Sequence, residues 1–141
     1  MKSSLHVATA LLLAISSLAF ATSSAQAGEC LLDTNDNGTA DDLDTDGGAS
    51  STGDDGSIAC GTGASANGFA ATAFGGNASA AEMSVAVGFA AQSEFMNTAV
   101  GHESQTLGGQ ATAIGTLTRA NTFNSTAVGY AAEARGEDAV A

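Results

Sequence analysis

Asp33, Asn35, Asn37, Asp41 and Asp44 place side-chain oxygens at positions 1, 3, 5, 9 and 12 of the stretch DTNDNGTADDLD, with Gly38 at position 6. Thr39 stands where a backbone carbonyl usually completes such a set. Calcium is a hard cation that takes roughly six to eight oxygen ligands, often from a short loop with a turn glycine at its middle. The spacing therefore predicts a calcium site built from Asp33, Asn35, Asn37, Thr39, Asp41 and Asp44, with calcium as the one cofactor. Asp44 stands where a bidentate Glu is usual, and Asp46 starts a second, poorer loop. The competing reading is a solvated acidic linker.

Two cysteines, Cys30 and Cys60, are the other reactive groups. In an exported chain such a pair most often forms a disulfide. Cys60 also occupies a repeated apolar position, so a small buried residue is the alternative there. His102 has no second His or Cys nearby and no motif around it, so no nucleophile–base–acid set is expected. The glycine-rich turns lack a following Lys, which excludes a phosphate loop. No enzymatic activity is predicted.

The elements that must hold these residues follow from three segments of the 141-residue chain. Residues 1–27 read as a secretory signal: Lys2, an apolar run from Val7 to Phe20, and Ala25-Gln26-Ala27 as a cleavage site. That run is too short and too interrupted by serines to span a membrane, and no later segment is apolar enough to do so. Residues 28–56 carry nine of the 15 carboxylates and few apolar residues. Beyond the signal only Arg119 and Arg135 are cationic, so nothing could neutralise phosphates and nucleic acid is excluded as a partner. The apolar share of 44% is mostly alanine, with one Tyr and no Trp or Pro. Such a chain cannot build a large core alone and needs close backbone packing or association.

Residues 57–141 are repeats. SIACG (57–61), ATAFG (71–75), SVAVG (84–88), NTAVG (97–101), ATAIG (111–115) and STAVG (125–129) share one pattern. Their central alanines, Ala59, Ala73, Ala86, Ala99, Ala113 and Ala127, are 13 or 14 residues apart, and Ala141 opens a further copy. In an extended run alternate residues face opposite sides. One face therefore carries a column of Ile58, Thr72, Val85, Thr98, Thr112, Thr126 and Val140 beside a column of Cys60, Phe74, Val87, Val100, Ile114 and Val128. The other face is alanine in every copy, which predicts that another backbone passes close by. Each unit holds two short extended runs and two turns, the fold class is all-β, and stacking the units gives a parallel β-solenoid of ~14-residue coils. Roughly seven coils at ~4.8 Å spacing make a rod of about 30 Å. Burial on both faces of one thin strand predicts that the chain associates with copies of itself.

SVAVGFAAQS (84–93) and STAVGYAAEARG (125–136) resemble the head repeats of trimeric autotransporter adhesins, the YadA-like head family. The resemblance covers residues 57–141. It implies a left-handed parallel β-roll, a homotrimer, and attachment to host or environmental surfaces through an extracellular matrix protein or another surface ligand. It also implies export to the bacterial cell surface and outer membrane. That family continues into a neck, a stalk and a barrel anchor, so the chain is expected to be a fragment of a longer adhesin. The acidic segment resembles the calcium loops of thrombospondin type-3 repeats.

The residue after each turn glycine varies most, and Phe89, His102 and Tyr130 there are the candidate partner-binding residues. Phe69, Phe95 and Phe123 precede strands and are expected to pack at coil corners. The alternative function is a secreted structural or ice-binding β-solenoid using the threonine column. Its weakness is that the column shares its face with Val and Phe, which predicts burial. An RTX-type calcium repeat ranks last, because the glycine-aspartate nonapeptide is absent from 57–141.

Overall fold

A computed structural model describes residues 30, 32, 45–52 and 56–141. The signal reading and the calcium ligands Asp33, Asn35, Asn37, Thr39, Asp41 and Asp44 lie outside the described residues.

Among the described residues thirteen short strands follow one another: β1 (Ser50–Ser51), β2 (Ile58–Cys60), β3 (Ser65–Ala66), β4 (Thr72–Phe74), β5 (Ser79–Ala80), β6 (Val85–Val87) and β7 (Gln92–Ser93). They continue with β8 (Thr98–Val100), β9 (Gln105–Thr106), β10 (Thr112–Ile114), β11 (Arg119–Ala120), β12 (Thr126–Val128) and β13 (Glu133–Ala134). The even-numbered strands form one six-stranded sheet and the odd-numbered strands one seven-stranded sheet. Every pairing between strands is parallel, with like residues stacked on like: Thr112 on Thr126, Ala113 on Ala127, Ile114 on Val128. About six coils of two strands each make a parallel β-solenoid, with no helix among the described residues. The odd-numbered sheet starts before the repeats do, because Ser50 and Ser51 pair with Ser65 and Ala66.

The two 13-residue units are accommodated at one corner. The chain runs from β5 to β6 through Ala81–Ser84 and from β7 to β8 through Glu94–Asn97, one residue fewer than the Asn67–Ala71 path between β3 and β4. The strands themselves keep their register across this change, with Ala73 on Ala86 and Ala86 on Ala99.

The backbone that approaches the alanine face is the opposite strand of the same coil. The six central alanines are fully buried, and so are Ala66, Ala80 and Ala120 of the facing sheet. The coil is so narrow that its largest fully buried side chains are Thr106 and Thr118. The buried serine hydroxyls in this interior find backbone acceptors, whereas the Asn97 side-chain nitrogen is buried without a hydrogen-bond partner. Ser57 Oγ donates to Gly68 O (2.6 Å), Ser84 Oγ to Ala81 O (2.8 Å) and Ser125 Oγ to Thr122 O (2.6 Å). Asn97 takes the same place in its coil, and its side-chain oxygen accepts from Ala111 N at 2.7 Å.

The corners are the strained parts. Gly61, Gly75, Gly88, Gly101, Gly115 and Gly129 stack with φ between +124° and +134°. A Cβ on Gly75 would lie 2.6 Å from Gly88 O, so no side chain fits there. Eleven non-glycine residues also have positive φ, among them Met83, Ala90, Met96 and Leu117. Each such residue costs of order 1–3 kcal/mol. For nine of them the N–H bonds to the coil before, as in Ala90 N to Gly76 O (2.8 Å) and Leu117 N to His102 O (2.9 Å). Stacking offsets the strain coil by coil.

Candidate functional site

The interior among the described residues is filled by alanine and by side chains no larger than Thr or Asn, so the outer surfaces carry the candidate sites. The first is the outward face of the even-numbered sheet. Because the alanines point inward, their flanking columns point out. Ile58 is 46% exposed, Phe74 53%, Ile114 42% and Val128 55%, with Val87 and Val100 half-buried between them. Thr72, Thr98, Thr112 and Thr126 run beside them, half-buried. The burial expected for this face is thus not supplied by the chain's own fold. A continuous apolar strip on a domain this small marks an interaction surface.

The second surface is the corner after each turn glycine. Phe89 and His102 stand on successive coils and stack, with centroids 5.5 Å apart and planes 17° from parallel. Room for the Phe89 ring comes from Gly76, where a Cβ would lie 3.3 Å from it. His102 Nε2 lies 3.8 Å from Glu103 Oε1. Tyr130 shares the corner but stands two coils beyond His102, 79% exposed. Two of the three residues expected to contact a partner are therefore brought together and the third is not.

Phe69, Phe95 and Phe123 sit at the opposite corner, where they were expected to pack. They lie on its outside, about half exposed, because the interior admits nothing larger than Thr or Asn. With Met83, Met96 and Leu107 they form an apolar ridge along the rod.

At the N-terminal end Cys30 and Cys60 form a disulfide, with Cα atoms 4.8 Å apart. Cys30 N donates to Ala59 O (3.2 Å), and Leu32 N donates to Thr45 O (2.8 Å). The bridge holds the stretch ahead of the repeats onto the first coil. A cross-link spanning a sequence separation of 30 stabilises by about 3–4 kcal/mol in the chain-entropy account. Replacing both cysteines with serine should lower unfolding stability by that order, read from urea denaturation. A proteolytic time course should show cleavage ahead of Gly56 before the coils are cut. An unchanged midpoint would assign the bridge no role as a staple.

The third surface is the outward side of the odd-numbered sheet, a polar ladder of Ser65, Ser79, Gln92, Gln105, Arg119 and Glu133. Glu133 accepts from Arg135 at 2.7 Å, which holds its carboxyl below the usual range and raises the Arg135 guanidinium. Arg135 thus pairs within its own coil. The sequence reading passed over this ladder. The two-residue alternation that located the first strand of each unit, applied to the second run, would have found it.

Residues 55–78, 98–118 and 123–141 match the YadA head domain repeat. The chain carries YadA-like head repeats. Such repeats are those of trimeric autotransporter adhesin heads, which these segments resemble. The unmatched 79–97 includes the two shortened corners, yet β5, β6 and β7 stack there as YadA-like coils in unbroken register. No curated protein matches the chain. No helix among the described residues is long and apolar enough to cross a membrane.

Proposed function

We propose that this chain is the non-enzymatic head of a bacterial surface adhesin, a trimeric rod that attaches its bearer to host or environmental surfaces. The observation that carries the reading is the strip Phe74–Val87–Val100–Ile114–Val128, apolar throughout and outward-facing in the single chain, with Ile58 exposed on the neighbouring column of the first coil. Three copies around an axis would cover it. The corner residues Phe89, His102 and Tyr130 would remain to meet an extracellular matrix protein or another surface ligand, and attachment would gain from several copies acting together. Sedimentation equilibrium tests the assembly: a mass of three chains supports it, and a stable monomer with β structure refutes it. Beads coated with the trimer should be retained on matrix-coated surfaces, and retention equal to uncoated beads would remove the attachment role.

Calcium belongs to the same proposal, held by Asp33, Asn35, Asn37, Thr39, Asp41 and Asp44. What supports it is the ligand spacing, together with the pairing of Leu32 and Thr45 on either side of that stretch. Calorimetric titration of the exported chain should show heat of calcium binding that Asp33→Ala abolishes. No heat in the parent protein would end that part of the reading.

One observation favours a second reading. The threonine row, broken only by Val85, is half-buried, not enclosed, and lies on an outward sheet face beside Val and Ile, which an ice-binding solenoid would need. Inhibition of ice recrystallisation by the isolated protein would support it, and ordinary crystal growth would dismiss it.

A further inference from the structure

Between the polar ladder and the first corner lies a pocket of about 280 Å³ lined by Ala90, Gln92, Glu103, Ser104, Gln105 and Arg119. It spans three successive coils, since Gln92 pairs with Gln105 and Gln105 with Arg119 in the odd-numbered sheet. Its depth has a local cause. Ala90 is small where the coils on either side place Asn77 and Glu103, all at the same positive-φ turn position. The pocket lies on the sheet facing away from the apolar strip, so covering that strip leaves it open.

The side chains that line it are polar except for Ala90, and they offer donors and acceptors side by side among apolar stems. Gln105 Nε2 donates to Gln92 Oε1 at 2.8 Å. That bond fixes the pair and leaves the Gln92 amide N–H groups and the Gln105 carbonyl oxygen without a partner among the described residues. The Arg119 guanidinium, five donors in a planar fork, makes no close ion pair among the described residues, although its charge acts on Glu133 of the next coil. Glu103 supplies two acceptor oxygens across the pocket, and Ser104 is already committed to Gly101 O (3.0 Å).

Charge selects among ligands. Glu103 and Arg119 cancel, so the pocket has no net sign, while the chain as a whole carries −12. That field disfavours an anion, and a cation would meet Arg119. A wholly apolar ligand would leave the Gln92, Gln105, Glu103 and Arg119 polar groups unpaired. A ligand whose neighbouring groups each donate and accept fits all four polar side chains at once, which describes the vicinal hydroxyls of a sugar ring. The volume lies near the lower end of small-ligand pockets, roughly 300–1,000 Å³, and so suits one ring. Phe89, next to Ala90, places a half-exposed aromatic face at the same corner.

We infer that this pocket binds one neutral saccharide unit, with Gln92, Gln105, Arg119 and Glu103 as its hydrogen-bonding residues. The test titrates the isotope-labelled full chain with methyl glucoside, methyl galactoside, methyl mannoside and N-acetylglucosamine, and with glucuronate as the anionic comparison. The side-chain amide signals of Gln92 and Gln105 are followed by NMR. At least one neutral sugar should move both signals saturably and bind more tightly than glucuronate. Gln105→Ala and Arg119→Ala should each weaken that sugar by about tenfold, the loss of roughly one charge-assisted or paired hydrogen bond. Both residues point outward, so the backbone spectrum and the sedimentation mass should not change. No movement of the two amide signals with any neutral sugar would overturn the inference. So would tighter binding of glucuronate, or undiminished binding by Arg119→Ala.

Discussion

Gly101→Ala should be among the most damaging single changes in this protein, lowering unfolding stability by more than about 3 kcal/mol. Two effects add at that position. Its φ of +134° lies where an L side chain is strained, and the new Cβ would drive into the carbonyl of Gly115 on the next coil. The obstacle is backbone, which cannot rotate aside as a side chain could. Moving it would break the hydrogen bond from Gly115 N to Val100 O (2.8 Å) and disturb the coils beyond. Gly129→Ala separates the two effects, because φ there is +127° but nothing lies within 4 Å of the added Cβ. It should carry the conformational strain alone, of order 1–3 kcal/mol. Urea unfolding of both variants beside the parent reads the difference. Equal losses would mean that the close stacking of glycines contributes nothing, and that only backbone conformation demands them.

The second large effect concerns assembly. Ile114→Asp changes a side chain that points outward in the single chain, so the coil should fold with its β circular dichroism intact. In the trimer the same change would bury a carboxylate without a partner in every copy, at a cost of several kcal/mol each. The expected result is complete dissociation to one-chain mass in sedimentation. Thr116→Asp, exposed at the neighbouring corner, should leave the mass unchanged. If Ile114→Asp stays fully assembled, the apolar strip is not where copies meet, and the Phe–Met ridge of the opposite corner becomes the surface to test.

Some of this was legible because repetition amplifies a weak signal. A single run such as STAVG has no decisive preference. Six copies with alanine at one position and β-branched or apolar residues on either side leave the parallel stack as the arrangement in which every coil satisfies the next. The glycine column was legible for the same reason. The disulfide was readable only as one of two alternatives for Cys60. The aromatic corner was read in part: variability pointed to Phe89, His102 and Tyr130, but not to the stacking of the first two. Phe69, Phe95 and Phe123 were placed at the right corner and on the wrong side of it.

By itself, then, the sequence determined the period, the parallel register and the identity of the two faces of each strand, because these depend only on spacing and on side-chain size. Which face turns inward was decided by the tertiary structure. Two short strands per coil lie so close that only residues up to the size of Thr or Asn fit between them, and this forces Ala59, Ala73, Ala86 and their successors in and Ile58, Ile114 and Val128 out. Tertiary structure also decided the corners. Met83, Met96 and Leu117 have no intrinsic tendency to positive φ, yet they adopt it because each N–H finds a carbonyl on the coil before. The polar pocket arises in the same way. Gln92, Gln105, Arg119 and Glu103 span 27 residues of chain, and only stacking coil upon coil brings them to one place.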